Sequence, residues 1–408
     1  MTLFLFLIIF TYFDPNIIFA NFFSYIIFAV DFVYLLMTNR AKVSKGAIQI
    51  FLLFTFVVLS YFLNGGIIQD VIVMGVSFGV YVMAYNLFQT NSSVDKLLKT
   101  IMYTGAILAL LGLVEFLVPS FSSYLDIFRT AKVDSYIEKG YTRVMATFIN
   151  PIFFSMVLAP TIFITQYEIF TKRNKAIHLK LFLLIELAVF VILQTSGAII
   201  SLFVIEVVYF ARSKKIPIIK VLKVLIPAII AIGIIFVTIY SSTIGIDSLI
   251  SVFTKRVYAW IGVFRIFKDN FLLGIGPGNF DKYFRIYGSE FLSNYYFVTY
   301  NPHSDYFNIL VSTGIVGIIV LIMFTLKNIR ILAVTLKDNY MTSYTARNLF
   351  VLGLLVLYLL IHRSCEDFIF NFRQAILLSA IFGAHESLFK NADREKFEEI
   401  SDGSENRR

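Results

Sequence analysis

Apolar runs of about 20 residues recur along this chain from end to end, and that repetition decides what it can become. Lipid offers no partners for free backbone N–H and C=O groups, so a run of that length crosses a membrane only as a helix. Twelve candidate spans read near 3–13, 17–37, 47–63, 67–88, 98–118, 149–170, 178–194, 196–211, 218–241, 306–326, 347–361 and 373–389. The first is short, and its boundary at Asp14-Pro15-Asn16 allows it to be half of a broken helix. Composition agrees. Hydrophobic residues fill 58% of 408 positions, mean hydropathy is +0.81, and only 15% are charged, against about a quarter in soluble domains. The expectation is an all-α, polytopic membrane protein with about twelve transmembrane helices over 1–390 and a disordered tail over 391–408. No basic segment precedes the opening Leu-Phe run, which argues against a cleaved signal peptide. The lone Cys365 excludes an internal disulfide framework.

Orientation follows from the basic residues, which collect on the cytoplasmic side. Arg40, Lys42 and Lys45 follow the second span, and Lys96 and Lys99 the fourth. Lys172, Arg173 and Lys175 follow the sixth, and Arg212, Lys214, Lys215 and Lys220 the eighth. Lys327, Arg330, Lys337 and Arg347 follow the tenth. Every even-numbered span therefore ends inside, which puts both termini in the cytoplasm. The net charge of +9 is mostly this signal. Nucleic-acid binding is excluded, since it needs a basic soluble surface with aromatic readers.

Two long connections, 119–147 and 242–302, land on the outer face. Ordered loops of that length usually carry function. The first holds Arg129, Lys132, Lys139 and Arg143; the second holds Lys255, Arg256, Arg265, Lys268, Lys282 and Arg285. An anionic ligand is one reason to keep cations on that side. The other reading is that long loops translocate regardless of charge, with Asp126, Asp134, Glu138, Asp269 and Asp281 partly balancing them. Charge alone leaves both open.

Residues 244–268 read as an amphipathic helix, with Leu249, Val252, Phe253, Val257, Trp260, Val263, Phe264 and Phe267 at mixed i+3/i+4 steps. Arg256 and Trp260 share a face. Arg265, nine positions after Arg256, points the other way at about 100° per residue. The turn Gly274-Ile275-Gly276-Pro277-Gly278-Asn279-Phe280 follows. Its backbone amides could approach an anion, but it lacks the strand–helix context of a nucleotide site. Ending the amphipathic helix and setting the loop path is the plainer role.

Pro302-His303-Ser304-Asp305-Tyr306-Phe307 opens the tenth span. Proline at a helix start leaves the next polar side chains at its N-terminus. A neutral imidazole there can take a proton from a sugar hydroxyl. Equally, His303 and Asp305 can simply cap and anchor the helix.

Four motifs together resemble one family. Arg256-x-x-x-Trp260, the Gly-Ile-Gly-Pro-Gly-Asn-Phe turn, and His303-Ser-Asp-Tyr-Phe-Asn-Ile-Leu-Val-Ser-Thr-Gly-Ile-Val-Gly317 follow in order. Upstream, Thr142-Arg143-Val144-Met145-Ala146-Thr147-Phe148-Ile149-Asn150-Pro151 stands at the start of a span. The order of motifs from about 143 to 320, with the twelve-span layout, resembles the bacterial O-antigen ligase and polysaccharide polymerase family. Two departures stand out. Gln194-Thr195-Ser196-Gly197-Ala198 takes the place of a common Ser-Arg-Gly-like motif and lacks its arginine, and Met145-Ala146 stands where a glycine is frequent.

The resemblance implies a GT-C-like, inverting glycosyltransferase in the bacterial cytoplasmic (inner) membrane, with its large extracytoplasmic loop at the site. Its donor would be an oligosaccharide on undecaprenyl diphosphate, and its acceptor another glycan or a lipid. A chain-length regulator and a flippase are the expected protein partners. Arg143, Arg256 and Arg265 would bind the donor diphosphate, and His303 would deprotonate or orient the attacking hydroxyl. Asp305, Trp260 and Glu115 would support them. Neither a cofactor nor a metal is called for if arginines take the charge. Tyr283, Tyr287, Tyr295, Tyr296 and Tyr300 could stack on sugars, although interfacial aromatic belts explain them as well. Asp31, Glu115, Glu186 and Glu206 lie in or near spans, where they are costly, and Glu115, close to the outer end of its span, is the one of these expected to touch the site.

The missing arginine and the Phe/Ile/Tyr-rich composition favour a polymerase of O-antigen, capsule or exopolysaccharide over a ligase. A flippase or transporter would instead show two similar halves and ionisable residues at mid-membrane, and no internal repeat is visible.

Overall fold

A computed structural model describes residues 1–14, 21–38, 41–129, 137–138, 141–170, 176–214, 216, 246–288, 302–337 and 343–405. The expected ninth span, 218–241, lies outside these residues, as do Lys132, Asp134, Lys139, Tyr295, Tyr296 and Tyr300. The described chain is helical, apart from the two-residue strands β1 (Ile137–Glu138) and β2 (Tyr141–Thr142), which pair antiparallel.

Short helices open the chain: α1 is Thr2–Thr11 and α2 is Phe22–Met37. At about 1.5 Å per residue, α1 covers only half of a roughly 30 Å hydrocarbon layer. Phe4 packs on Phe88 and Tyr12 on Phe148, with ring centroids 5.5 and 5.6 Å apart. Then come α3 (Lys45–Asn64), α4 (Ile68–Leu87), α5 (Asn91–Leu117), α6 (Pro151–Phe170), α7 (Ile177–Leu193) and α8 (Ser196–Ser213). The amphipathic helix is α9, Ile246–Asp269, and α10 is Phe280–Tyr287. The chain ends with α11 (Asp305–Lys337), α12 (Tyr344–Cys365) and α13 (Phe372–Glu405). Among the described residues seven helices are long and apolar enough to cross a membrane: α3, α4, α5, α6, α8, α11 and α12.

The helices pack in two groups joined through α12. One group is α5, α6 and α7; the other sets α13 on α4 and α11 on α3. Small residues allow the close approaches that membrane helices need. A side chain at Gly383 would lie 2.7 Å from the Tyr81 carbonyl oxygen on α4. At the end carrying the basic residues, Glu386 of α13 accepts from Lys327 of α11 at 2.7 Å, from Ser44 at the start of α3 at 2.9 Å, and from Tyr81 of α4. That pin fixes four helices relative to one another.

The tenth span is not a plain helix, because α11 breaks at Gly314, where φ is +67° and ψ is −157°. The turn after α9 is plugged into that break. Ile275 and Gly276 donate their amides to the carbonyls of Val311 and Ser312, at 2.8 and 3.1 Å. Ile315 donates back to Phe271 at 2.9 Å, so the interrupted ladder is satisfied from outside the helix. On the far side Ser60 of α3 donates to the Leu273 and Ser312 carbonyls, both at 2.6 Å. At the end of the chain α13 continues to Glu405. Residues 391–402 contain no Pro or Gly and are rich in Glu, Arg and Lys. Once nucleated by the packed part of α13, a helix propagates cheaply through such a stretch.

Candidate active site

The loop-bearing end of the bundle brings together α9, the start of α11, and the connection from α12 to α13. On α9 the buried face is Ala259, Val263 and Ile266, at i, i+4 and i+7, packed with Ile275, Phe280, Phe284 and Val311. Val257 and Phe264, expected on that face, are 44% and 54% exposed. This seating directs Arg256 onto the end of α12. One terminal nitrogen donates to the Cys365 carbonyl at 2.8 Å, and the other meets Glu366 Oε1 at 2.5 Å.

His303 approaches the same carboxylate from the opposite element. Its Nδ1 lies 3.6 Å from Glu366 Oε2. Rather than sitting inside the helix, it precedes α11 with φ of +52°, a left-handed conformation that costs a residue with a side chain about 1 kcal/mol. Both side chains stay accessible, 30% exposed for Arg256 and 37% for His303, so a ligand can reach them. Glu366 itself is buried. Burial pushes its carboxyl up, but the neighbouring His303 imidazole and the Arg256 charge outweigh that and hold it below its ordinary value. Sequence reasoning missed Glu366. The available signal was the density of ionisable residues in His362-Arg363-Ser364-Cys365-Glu366-Asp367 at the end of an apolar span.

Asp305 builds the platform beneath. Fully buried at the first turn of α11, it pairs with Arg363 of α12 and accepts the Phe368 and Ile369 amides at 2.6 and 2.8 Å. Its own amide donates to the Glu366 carbonyl at 3.2 Å. The connection bearing Glu366 is thereby fastened to the helix that follows His303. Beside it, Asp367 accepts from Asn308 at 2.6 Å. Burial first, then the Asp305 charge, pushes the Asp367 carboxyl well above its ordinary value.

Arg143 reaches the same neighbourhood from the first long loop. Its Nε and one terminal nitrogen donate to the Leu193 carbonyl, at 3.0 and 2.8 Å, where α7 ends. The next residue, Gln194, is left-handed with φ of +50°. At the following turn a side chain on Gly197 would lie 3.2 Å from the His362 ring and 3.4 Å from Cys365. An arginine is thus present at the turn whose own motif lacks one, supplied by a different segment.

The remaining expected residues fall elsewhere. Glu115 holds the first loop in place. It pairs with Arg129 at 2.6 Å and accepts the Met145 and Ala146 amides at 2.9 and 2.7 Å. Arg129 in turn donates to the Ala146 carbonyl, clamping a residue whose φ is +47°. A glycine at that position would adopt this conformation without cost. Trp260 packs on Phe307 with centroids 5.5 Å apart. Arg265 donates to the Tyr287 carbonyl at the end of α10, at 3.1 Å. Tyr283 and Tyr287 stack on each other at 6.5 Å. The glycine turn donates amides of Ile275 and Gly276 to protein carbonyls, which favours its structural reading over an anion nest.

A search among curated proteins returns no match. Arg256, Trp260 and His303 fall inside the stretch that a family model recognises, whereas Arg143 and Glu366 lie on either side of it. The family model described as O-antigen ligase matches residues 181–322, from α7 into the second half of α11, and that match supports the resemblance to the O-antigen ligase/polymerase family.

Proposed function

We propose that the protein is a polysaccharide polymerase acting at the outer face of the cytoplasmic membrane. It joins oligosaccharide repeat units carried on undecaprenyl diphosphate. The observation that carries this reading is the convergence of Arg256 and His303 on one buried carboxylate, Glu366. Nδ1 of the imidazole faces Glu366, and Nε2 is the nitrogen assigned as the proton acceptor. The acceptor hydroxyl gives its proton to Nε2 as its oxygen bonds to the anomeric carbon from the face opposite the diphosphate. The bond from that carbon to the diphosphate oxygen breaks, and the configuration inverts. Charge gathering on the leaving diphosphate is met by guanidinium donors of Arg256 and Arg143. Two of the five Arg256 donors point at Cys365 and Glu366, which holds the fork in place. Arginines suffice for this charge, and the mechanism assigns no step to a metal or cofactor.

The family description favours a second reading, a ligase that moves a finished glycan from undecaprenyl diphosphate to a lipid acceptor. Deleting the gene separates the two. Single repeat units on surface acceptors mean a polymerase, and long chains stranded on undecaprenyl diphosphate mean a ligase. Unchanged glycans in the deletion strain sink both.

A further inference from the structure

A cavity of about 710 Å³ opens at the loop-bearing end between α2, α4, the start of α6 and the start of α13. Its size falls within the ~300–1,000 Å³ range of ligand pockets. The walls are mainly aromatic and aliphatic, among them Phe22, Ile26, Ile72 and Phe153. Ile26 on α2 and Ile72 on α4 are 47% and 45% exposed, so the open side faces the lipid-facing flank of the bundle. Polar groups stand at the closed end. Gln374 is fully buried; its Nε2 donates to the Phe153 carbonyl at 3.3 Å, while its Oε1 has no hydrogen-bond partner among the described residues. Arg373 donates to the Thr147 and Phe128 carbonyls, both at 2.6 Å, and to Asn21 at 3.3 Å; Asp14 acts on it through space.

The same two segments that carry the reactive cluster also line this cavity. Glu366 is followed by Phe370, and Arg143 by Phe148. At ~3.5 Å per extended residue, these separations reach at most about 14 and 18 Å. A chain attached directly to a diphosphate held at Arg143 and Arg256 must begin within such a distance. The apolar walls of the cavity offer water no hydrogen-bond partners, and its side opening admits a molecule already dissolved in the bilayer.

We propose that this cavity receives the first isoprene units of the donor's polyprenyl carrier, entering sideways between α2 and α4. The assignment rests on the functional reading above. It places the glycan's lipid end against α13 and leaves the loop side of the cluster for the acceptor.

The test uses the full-length protein in lipid nanodiscs and undecaprenyl diphosphate carrying a diazirine near its head group, without sugar. Illumination is expected to label 22–29 and 68–73, and an Ile72→Trp substitution to cut that labelling at least fivefold. With a glycan-bearing donor, the same substitution is expected to raise the donor KM about tenfold while leaving kcat and the acceptor KM unchanged. Leu184→Trp, on the exposed flank of α7, is expected to change neither readout. Labels elsewhere on the wild-type protein overturn the proposal even if Ile72→Trp does not fold. A rise confined to the acceptor KM overturns it too, and assigns the cavity to the acceptor's lipid. An unchanged donor KM with unchanged labelling leaves only ordinary membrane lipid as occupant. Failure of the functional reading is distinct: the wild type then transfers no glycan, whatever the labelling shows.

Discussion

Arg256 and Glu366 stand 110 positions apart and meet at 2.5 Å, joining the amphipathic helix to the end of α12. Removing the carboxylate frees the arginine from its fixed orientation without removing its charge. Glu366→Gln is therefore expected to lower kcat/KM about 10- to 100-fold, and Arg256→Lys to raise the donor KM because an ammonium lacks the planar fork. Steady-state kinetics on inserted, folded variants check both. Wild-type kinetics for Glu366→Gln would remove the carboxylate from the mechanism.

His303→Ala is expected to lower kcat about 10²–10⁴-fold, the usual range for a lost general base, with donor binding retained. The left-handed backbone at this residue offers a competing cause, loss of local geometry. Asparagine tolerates that conformation better than most residues. His303→Asn should thus keep the fold of the segment and remain as inactive as the alanine variant. Recovery of activity by asparagine would assign His303 a backbone role only.

The depressed carboxyl of Glu366 sets the sign of an acid-stability effect. A group whose folded value lies below its unfolded one, about 4.3 for glutamate, contributes stability above that unfolded value. The contribution disappears as pH falls through the folded value. Melting temperatures from pH 7 to pH 3 should fall more steeply for the wild type than for Glu366→Gln. Parallel curves would show that the Arg256–Glu366–His303 contacts add nothing to folding.

Ala146 holds a φ of +47° under the clamp of Glu115 and Arg129. Ala146→Gly relieves a strain of about 1 kcal/mol, less the extra freedom glycine has in the unfolded chain. A small rise in melting temperature is expected, with activity unchanged. A fall would mean that the alanine methyl, fully buried here, contributes more by packing than it costs in strain.

Asp305 is fully buried and serves Arg363 and two backbone amides. Asp305→Ala leaves the guanidinium without its partner and two amides unmet. The expected cost is about 3–5 kcal/mol, as for other broken buried pairs. Thermal unfolding in detergent measures it. Near-wild-type stability would show that water replaces the carboxylate, contrary to the burial seen.

The spans were legible because lipid enforces helices wherever apolar runs are long enough. Arg256 and His303 were legible because each sits in a recognisable local string. Glu366 was not, since its relation to them exists only after α12 returns to the same end of the bundle. Nor does Ser364-Cys365-Glu366-Asp367 carry any spacing that points to a distant histidine. Glu115 read as a costly acid near the site, and only the fold shows that it meets Arg129 and two amides. The break in α11 was hidden for a related reason. A glycine in an apolar run is ordinary in membrane helices, and nothing local at Gly314 announces that a loop will enter there.

That break makes the second long connection and the tenth span mechanically inseparable. Pulling out residues 271–276 would strand the carbonyl of Val311 and the amide of Ile315 and leave the Ser312 carbonyl to Ser60 alone, in a setting where each unmet group costs several kcal/mol. The helix bearing Arg256 is therefore indexed against a transmembrane rod and does not ride on a loop. A chimaera that exchanges the loop alone between two such proteins would lose this register; exchange units should run unbroken from before α9 to beyond Ile315.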